Sequence, residues 1–90
     1  MIRVYVINSS YECIGNCKLH RAVGLVNTCR HCGESIDSFK KCTNIDGRHA
    51  PKAEVVKYTD REVRSGKTKI RVPHVIRVFK HIRVSHCIAF

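Results

Sequence analysis

Residues 26–35, VNTCRHCGES, place two cysteines three positions apart, with an apolar run before the first and Gly33 directly after the second. The spacing admits three kinds of site. It suits half of a metal site, a redox pair at the head of a helix, or one corner of a disulfide framework. In a tight turn, a two-residue gap lets both sulfurs converge on one cation while backbone amides point at them. A following glycine lets the chain leave the turn with positive φ.

Working outward, the cluster reads Cys13-x3-Cys17-x2-His20-x8-Cys29-x2-Cys32, with Cys42 and His49 beyond it. Zn²⁺ takes four such ligands in a tetrahedron. The preferred set is Cys17, His20, Cys29 and Cys32, with Cys13 as the alternate ligand in place of His20. The gap RAVGLVNT (residues 21–28) has room for one strand. RAVGLV itself is short and glycine-bearing, which disfavours a helix. Cys42 and Cys87 stand alone and are expected to be buried small hydrophobes. A site of Cys29, Cys32, Cys42 and His49 is less favoured because six residues separate the last two. His31 should face solvent, and His74, His81 and His86 should join a polar surface.

On these residues the chain resembles the zinc-ribbon class, whose hallmark is two CxxC-type knuckles on adjacent hairpin turns. CRHCG at 29–33 matches a knuckle. The first knuckle, Cys17-x2-His20 or Cys13-x3-Cys17, departs from the pattern. The resemblance covers about residues 11–35 and implies one structural Zn²⁺ and no particular activity. A weaker resemblance is to glutaredoxin- and thioredoxin-like proteins. IRVYVI before Cys13 and Cys17, or RAVGLV before Cys29 and Cys32, would stand ahead of the redox pair, and RVPHVIRVFKHI would follow around Pro73. It implies a thioredoxin-like α/β fold, a cysteine pair at a helix N-terminus facing a cis-proline, and thiol–disulfide exchange. The three-residue spacing of the first pair and Arg83-Val84, where glutaredoxins carry Gly-Gly, depart from it.

The remaining sequence sets the frame. Ninety residues suit a single domain, 1–90, with a Cys/His metal-binding region at 11–49 and a basic β region at 51–90. Hydrophobic residues at 43% argue against disorder, and 17 Lys+Arg against 7 Asp+Glu give a net charge of +10 that calls for an anionic partner. No signal peptide or membrane span is visible. An intracellular, reducing compartment is therefore expected, where cysteines serve as metal ligands or redox groups more often than as bridges.

IRVYVI (2–7) reads as a strand with Ile2, Val4 and Val6 on one face. Residues 51–66 allow a helix from Pro51 to Gly66. The hairpin EVVKYTD against KTKIRV, turning at RSGK, is preferred because β-branched residues dominate both arms. IRV recurs at 70–72, 76–78 and 82–84, an even spacing that puts Ile70, Val72, Ile76, Val78, Ile82 and Val84 on one face of extended chain and Arg71, Arg77 and Arg83 on the other. A bend is expected at Pro73 or near Lys80-His81. The expected fold is a small mainly-β domain with zinc-ribbon-like knuckles and a C-terminal antiparallel β meander.

After Glu62 there is no acidic residue, while Arg64, Lys67, Lys69, Arg71, Arg77, Lys80 and Arg83 follow. Such a run fits phosphate-backbone contact with RNA or DNA. Tyr58, Phe79 and Phe90 are too scattered for a stacking platform. No Ser-His-Asp grouping, phosphate-cradling glycine loop or carboxylate pair stands out, and DGRH (46–49) reads as a turn. The functional expectation is a non-catalytic zinc-binding subunit of a ribosomal or transcription assembly. The alternatives are a thiol–disulfide oxidoreductase and a virus-encoded or accessory regulator that docks on an acidic protein.

Overall fold

The computed structural model describes residues 2–80. The expectations for His81, Ile82, Arg83, Val84, His86, Cys87 and Phe90 lie outside the described residues. Alternating β-branched side chains make β1 (Arg3–Ile7), and its partner β2 (Cys13–Lys18) returns antiparallel to it. Asn8 builds the turn between them, since its side-chain oxygen accepts from the amides of Ser10 and Glu12. After α1 (Leu19–Asn27) and a long connection come β3 (Ala53–Ser65) and β4 (Thr68–Val78). The sheet order is β2-β1-β4-β3, with β4 parallel to β1 and antiparallel to β3.

The result is a small mainly-β domain with a mixed sheet. Its core is the face formed by Val4, Val6, Ile76 and Val78, closed by Ala53, Cys17 and Ala22. Full burial of side chains such as Val4, Val6 and Ile76 contributes about 1.5–3 kcal/mol each. The β1 and β4 faces expected from the alternation are observed: Val72, Ile76 and Val78 are buried and Arg71 is exposed.

The helix corrects the expectation of a strand or loop at RAVGLV. Leu19, Ala22, Val23 and Val26 fall at i, i+3, i+4 and i+7, which is one helical face. A reading that starts at Arg21 leaves out Leu19 and loses the period. Leu19, Ala22, Leu25 and Val26 pack on the sheet, while His20, Arg21 and Gly24 stay exposed.

The hairpin over 53–78 forms as expected, with Gly66 at φ +62 in its turn. Pro73 does not break β4. It pairs opposite Tyr58, ahead of the stretch where β1 joins at Val75, so β4 has a single neighbour there. The irregularity is taken up by register shifts in β3 between Val55 and Glu62. Among the described residues no helix is long and apolar enough to cross a membrane.

Candidate metal centre

The connection 28–52 has no helix or strand of its own, only the isolated bridges Thr28–Ser35 and Cys29–Pro51. Loops of that length inside a compact domain need another organiser. Here it is a cluster: one ligand atom each from Cys29, Cys32, Cys42 and His49, all within 4.8 Å of one another.

Two turns build it. In the first, the Gly33 amide donates to the Cys29 carbonyl at 3.0 Å and the His31 amide to Cys29 Sγ at 3.4 Å. Gly33 sits at φ +76, as the motif at 29–33 requires. In the second, the Cys42 amide donates to the Gly47 carbonyl, the Gly47 amide to the Asn44 carbonyl, and the Asn44 amide to Cys42 Sγ at 3.5 Å. Gly47 sits at φ +66. The bridge at Cys29–Pro51 brings His49 back, and the Ala50 amide also donates to Cys29 Sγ at 3.4 Å.

The distances fit one small ion. Metal–sulfur bonds of about 2.3 Å in a tetrahedron put sulfurs about 3.8 Å apart, and a nitrogen bound at about 2.0 Å lies about 3.5 Å from each sulfur. Cys29 Sγ and Cys42 Sγ are 3.6 Å apart, and Cys32 Sγ lies 3.3 Å from His49 Nδ1. His49 Nε2 is 2.6 Å from the Lys40 carbonyl, which can only accept, so Nε2 carries the proton and the Nδ1 lone pair faces the sulfurs.

The electrostatics agree with a cation-seeking site. Burial pushes the Cys29 thiol up, but amide hydrogen bonds from Cys32, Ala50 and His31, with His49 beside it, outweigh this and bring it down to about 5. The Glu34 amide favours the Cys32 thiolate. Burial and the neighbouring sulfurs of Cys29 and Cys42 oppose it, and the net direction is upward. His49 is raised by Cys29 and by its bond to Lys40. Without a cation, three sulfurs at this spacing cannot all be thiolates.

Of the ligands preferred from sequence, Cys29 and Cys32 are in the cluster, and Cys17 and His20 are apart from it. Cys17 lies in the sheet core, 3% exposed, where burial raises its thiol pKa. His20 is exposed on the first turn of α1. Cys13, the alternate, is disulfide-bonded, a departure from the expectation of free thiols. Cys42 is buried as expected, yet as a member of the cluster. The helix between Cys17 and Cys29 replaces the strand that would have joined two ribbon knuckles. Cys29 follows the C-terminus of α1, so the helix-head cysteine pair of the redox resemblance is not formed there. The described residues also contain no cis peptide bond.

Among the basic residues singled out, Arg64, Lys67, Lys69, Arg71 and Lys80 are exposed. Arg71 is partly engaged, donating from Nε to the Thr59 carbonyl and lying 3.6 Å from Asp60. Arg77 is a brace. It bonds Glu54 at 3.1 Å and the Ser9 carbonyl at 3.0 Å, and lies over the Tyr11 and Phe79 rings. His31 is exposed as expected, and His74 packs edge-on against Tyr5. No family model, curated protein or solved structure matches this chain.

Proposed function

We propose that the chain is a non-catalytic zinc-binding module. In this reading one Zn²⁺ on Cys29, Cys32, Cys42 and His49 fixes the connection 28–52, and the β3–β4 hairpin contacts nucleic-acid backbone within a larger ribonucleoprotein or transcription assembly. The observation that carries it is the convergence of three sulfurs and one imidazole nitrogen within 4.8 Å. A soft S₃N set in a tetrahedron favours zinc among biological divalent ions. Four protein ligands close its coordination and leave no position for substrate, which is the pattern of a structural site.

Support for the nucleic-acid part comes from the hairpin end. Arg64 and Lys69 are directly opposed across the strands, and Lys67 lies in the turn. Like charges in that position repel, and a phosphate between them removes the cost. None of these three has an ion pair among the described residues.

The test has two readouts. Elemental analysis of the purified chain should give one zinc per molecule, lost on Cys42→Ser and His49→Ala and kept on Cys17→Ala and His20→Ala. The opposite pattern overturns the site. Fluorescence anisotropy with single-stranded RNA and duplex DNA should show affinity falling steeply with salt. Lys67→Gln with Lys69→Gln should lower the log–log salt slope by about 2. No binding to either at moderate salt would leave the cationic hairpin to an acidic protein surface instead.

A further inference from the structure

A second cationic feature, separate from the hairpin end, lies where β1, β2 and α1 meet the two ends of the connection 28–52. An open cavity of about 580 Å³ is lined there by Arg3, Lys18, His20, Arg21 and Lys52, with no acidic side chain among the described residues of its wall. None of Arg3, Lys18, Arg21 and Lys52 forms an ion pair among the described residues. Arg3 and Lys18 are direct cross-strand partners, so two like charges stand opposed at the mouth of a cavity that a third and fourth cation also border. Such opposition is unfavourable in an antiparallel pair unless an anion sits between the charges. The first turn of α1 adds uncapped amides: Lys18 makes no side-chain cap, and no acidic residue follows in that turn. A helix end alone would not make a site; the four unpaired cations around the cavity do.

We infer that this cavity binds a phosphate group. Arg3 and Arg21 offer planar donor forks suited to phosphate oxygens, and Lys18 and Lys52 add point charges. The phosphate could come from a nucleic-acid strand or from a small free polyphosphate; only the first source rests on the function proposed above. A strand held both here and at the hairpin end would gain in affinity through two linked contacts.

The test is an NMR titration of the purified full chain, following backbone amides of Arg3, Lys18, Arg21 and Lys52. Pyrophosphate should move these amides saturably, beyond the shifts produced by chloride at matched ionic strength. Lys18→Gln with Arg21→Gln, which removes two exposed cations and should leave the far-UV spectrum unchanged, should weaken pyrophosphate about tenfold. If an oligonucleotide moves the same amides together with residues 64–69, the source is a nucleic-acid strand. If pyrophosphate binds and the oligonucleotide does not, the phosphate site stands and the nucleic-acid reading fails. If pyrophosphate moves these amides no more than chloride does, the inference is overturned. That holds even where the oligonucleotide moves residues 64–69.

Discussion

At the scale of single residues, the five described cysteines divide by environment. Cys29 is fully buried and takes two amide hydrogen bonds on its sulfur; a serine oxygen could accept both, but it is a harder and weaker metal ligand than a thiolate. Cys29→Ser should abolish zinc binding in elemental analysis and broaden the amide spectrum. Cys17 is buried among Val4, Val6 and Ile76, so Cys17→Ala should cost only about 1 kcal/mol in chemical denaturation and leave the metal content intact.

Cys17 also sets a pH effect. Burial holds its folded-state thiol above the ordinary value of 9.0, so the unfolded chain deprotonates first. The contribution is fully present below 9.0 and is lost as pH rises from there through the folded-state value. Thermal unfolding followed above pH 9 should therefore fall less steeply in Cys17→Ala than in the natural chain. Arg77 ties three parts of the fold together through Glu54, Ser9 and the rings of Tyr11 and Phe79. Arg77→Ala should cost about 1–3 kcal/mol in denaturant unfolding and leave the salt slope of nucleic-acid binding unchanged.

At the scale of elements, β1 and the β3–β4 hairpin were legible in the sequence; β2, read there as part of a metal knuckle, and the helix were not. β1 and the hairpin announce themselves by β-branched alternation and by a glycine turn, which depend on neighbours two residues apart. The period of α1 runs through Leu19, Ala22, Val23 and Val26, and Gly24 in its middle masks it, because glycine weakens a helix without preventing one that packs well. The helix should improve on replacement of that residue. Gly24 is exposed, and a Cβ there would meet nothing within 4 Å. Gly24→Ala should add about 0.8–1 kcal/mol. For a domain of this size that raises the thermal midpoint by about 4–8 °C, measured by circular dichroism.

Half of the candidate metal site was equally plain. Cys29, Cys32 and Gly33 form a local motif that fixes its own geometry. Cys42 and His49 are joined to it by the long-range bridge from Cys29 to Pro51, and to each other by a local turn closed by the Cys42 amide on the Gly47 carbonyl. The signal that could have found them is Asp46-Gly47. A turn in the middle of the six-residue gap folds Cys42 and His49 toward each other.

For the whole molecule, the connection 28–52 joins two halves of the chain that meet in one sheet and core, where β1 pairs with β4 at Val6 and Ile76 and α1 packs against β3 and β4. Structural zinc supplies apparent binding free energies of about 10–16 kcal/mol in small zinc-dependent folds. The whole stability of a domain is about 5–15 kcal/mol. If zinc fills the site as proposed, chelation should therefore collapse the amide dispersion of the entire chain, strands included, and restoring zinc should recover it. A sheet that keeps its spectrum under chelator would show that the connection holds without the ion.

The order of the ligands along the chain has a consequence for synthesis. His49 precedes Ala53, so every donor is translated before either arm of the hairpin exists. An ion bound at the proposed site can be captured while β3 and β4 are still in the ribosomal tunnel. β4 then docks against a nascent half that is already closed, and the long search that pairs Val6 with Ile76 becomes a short one.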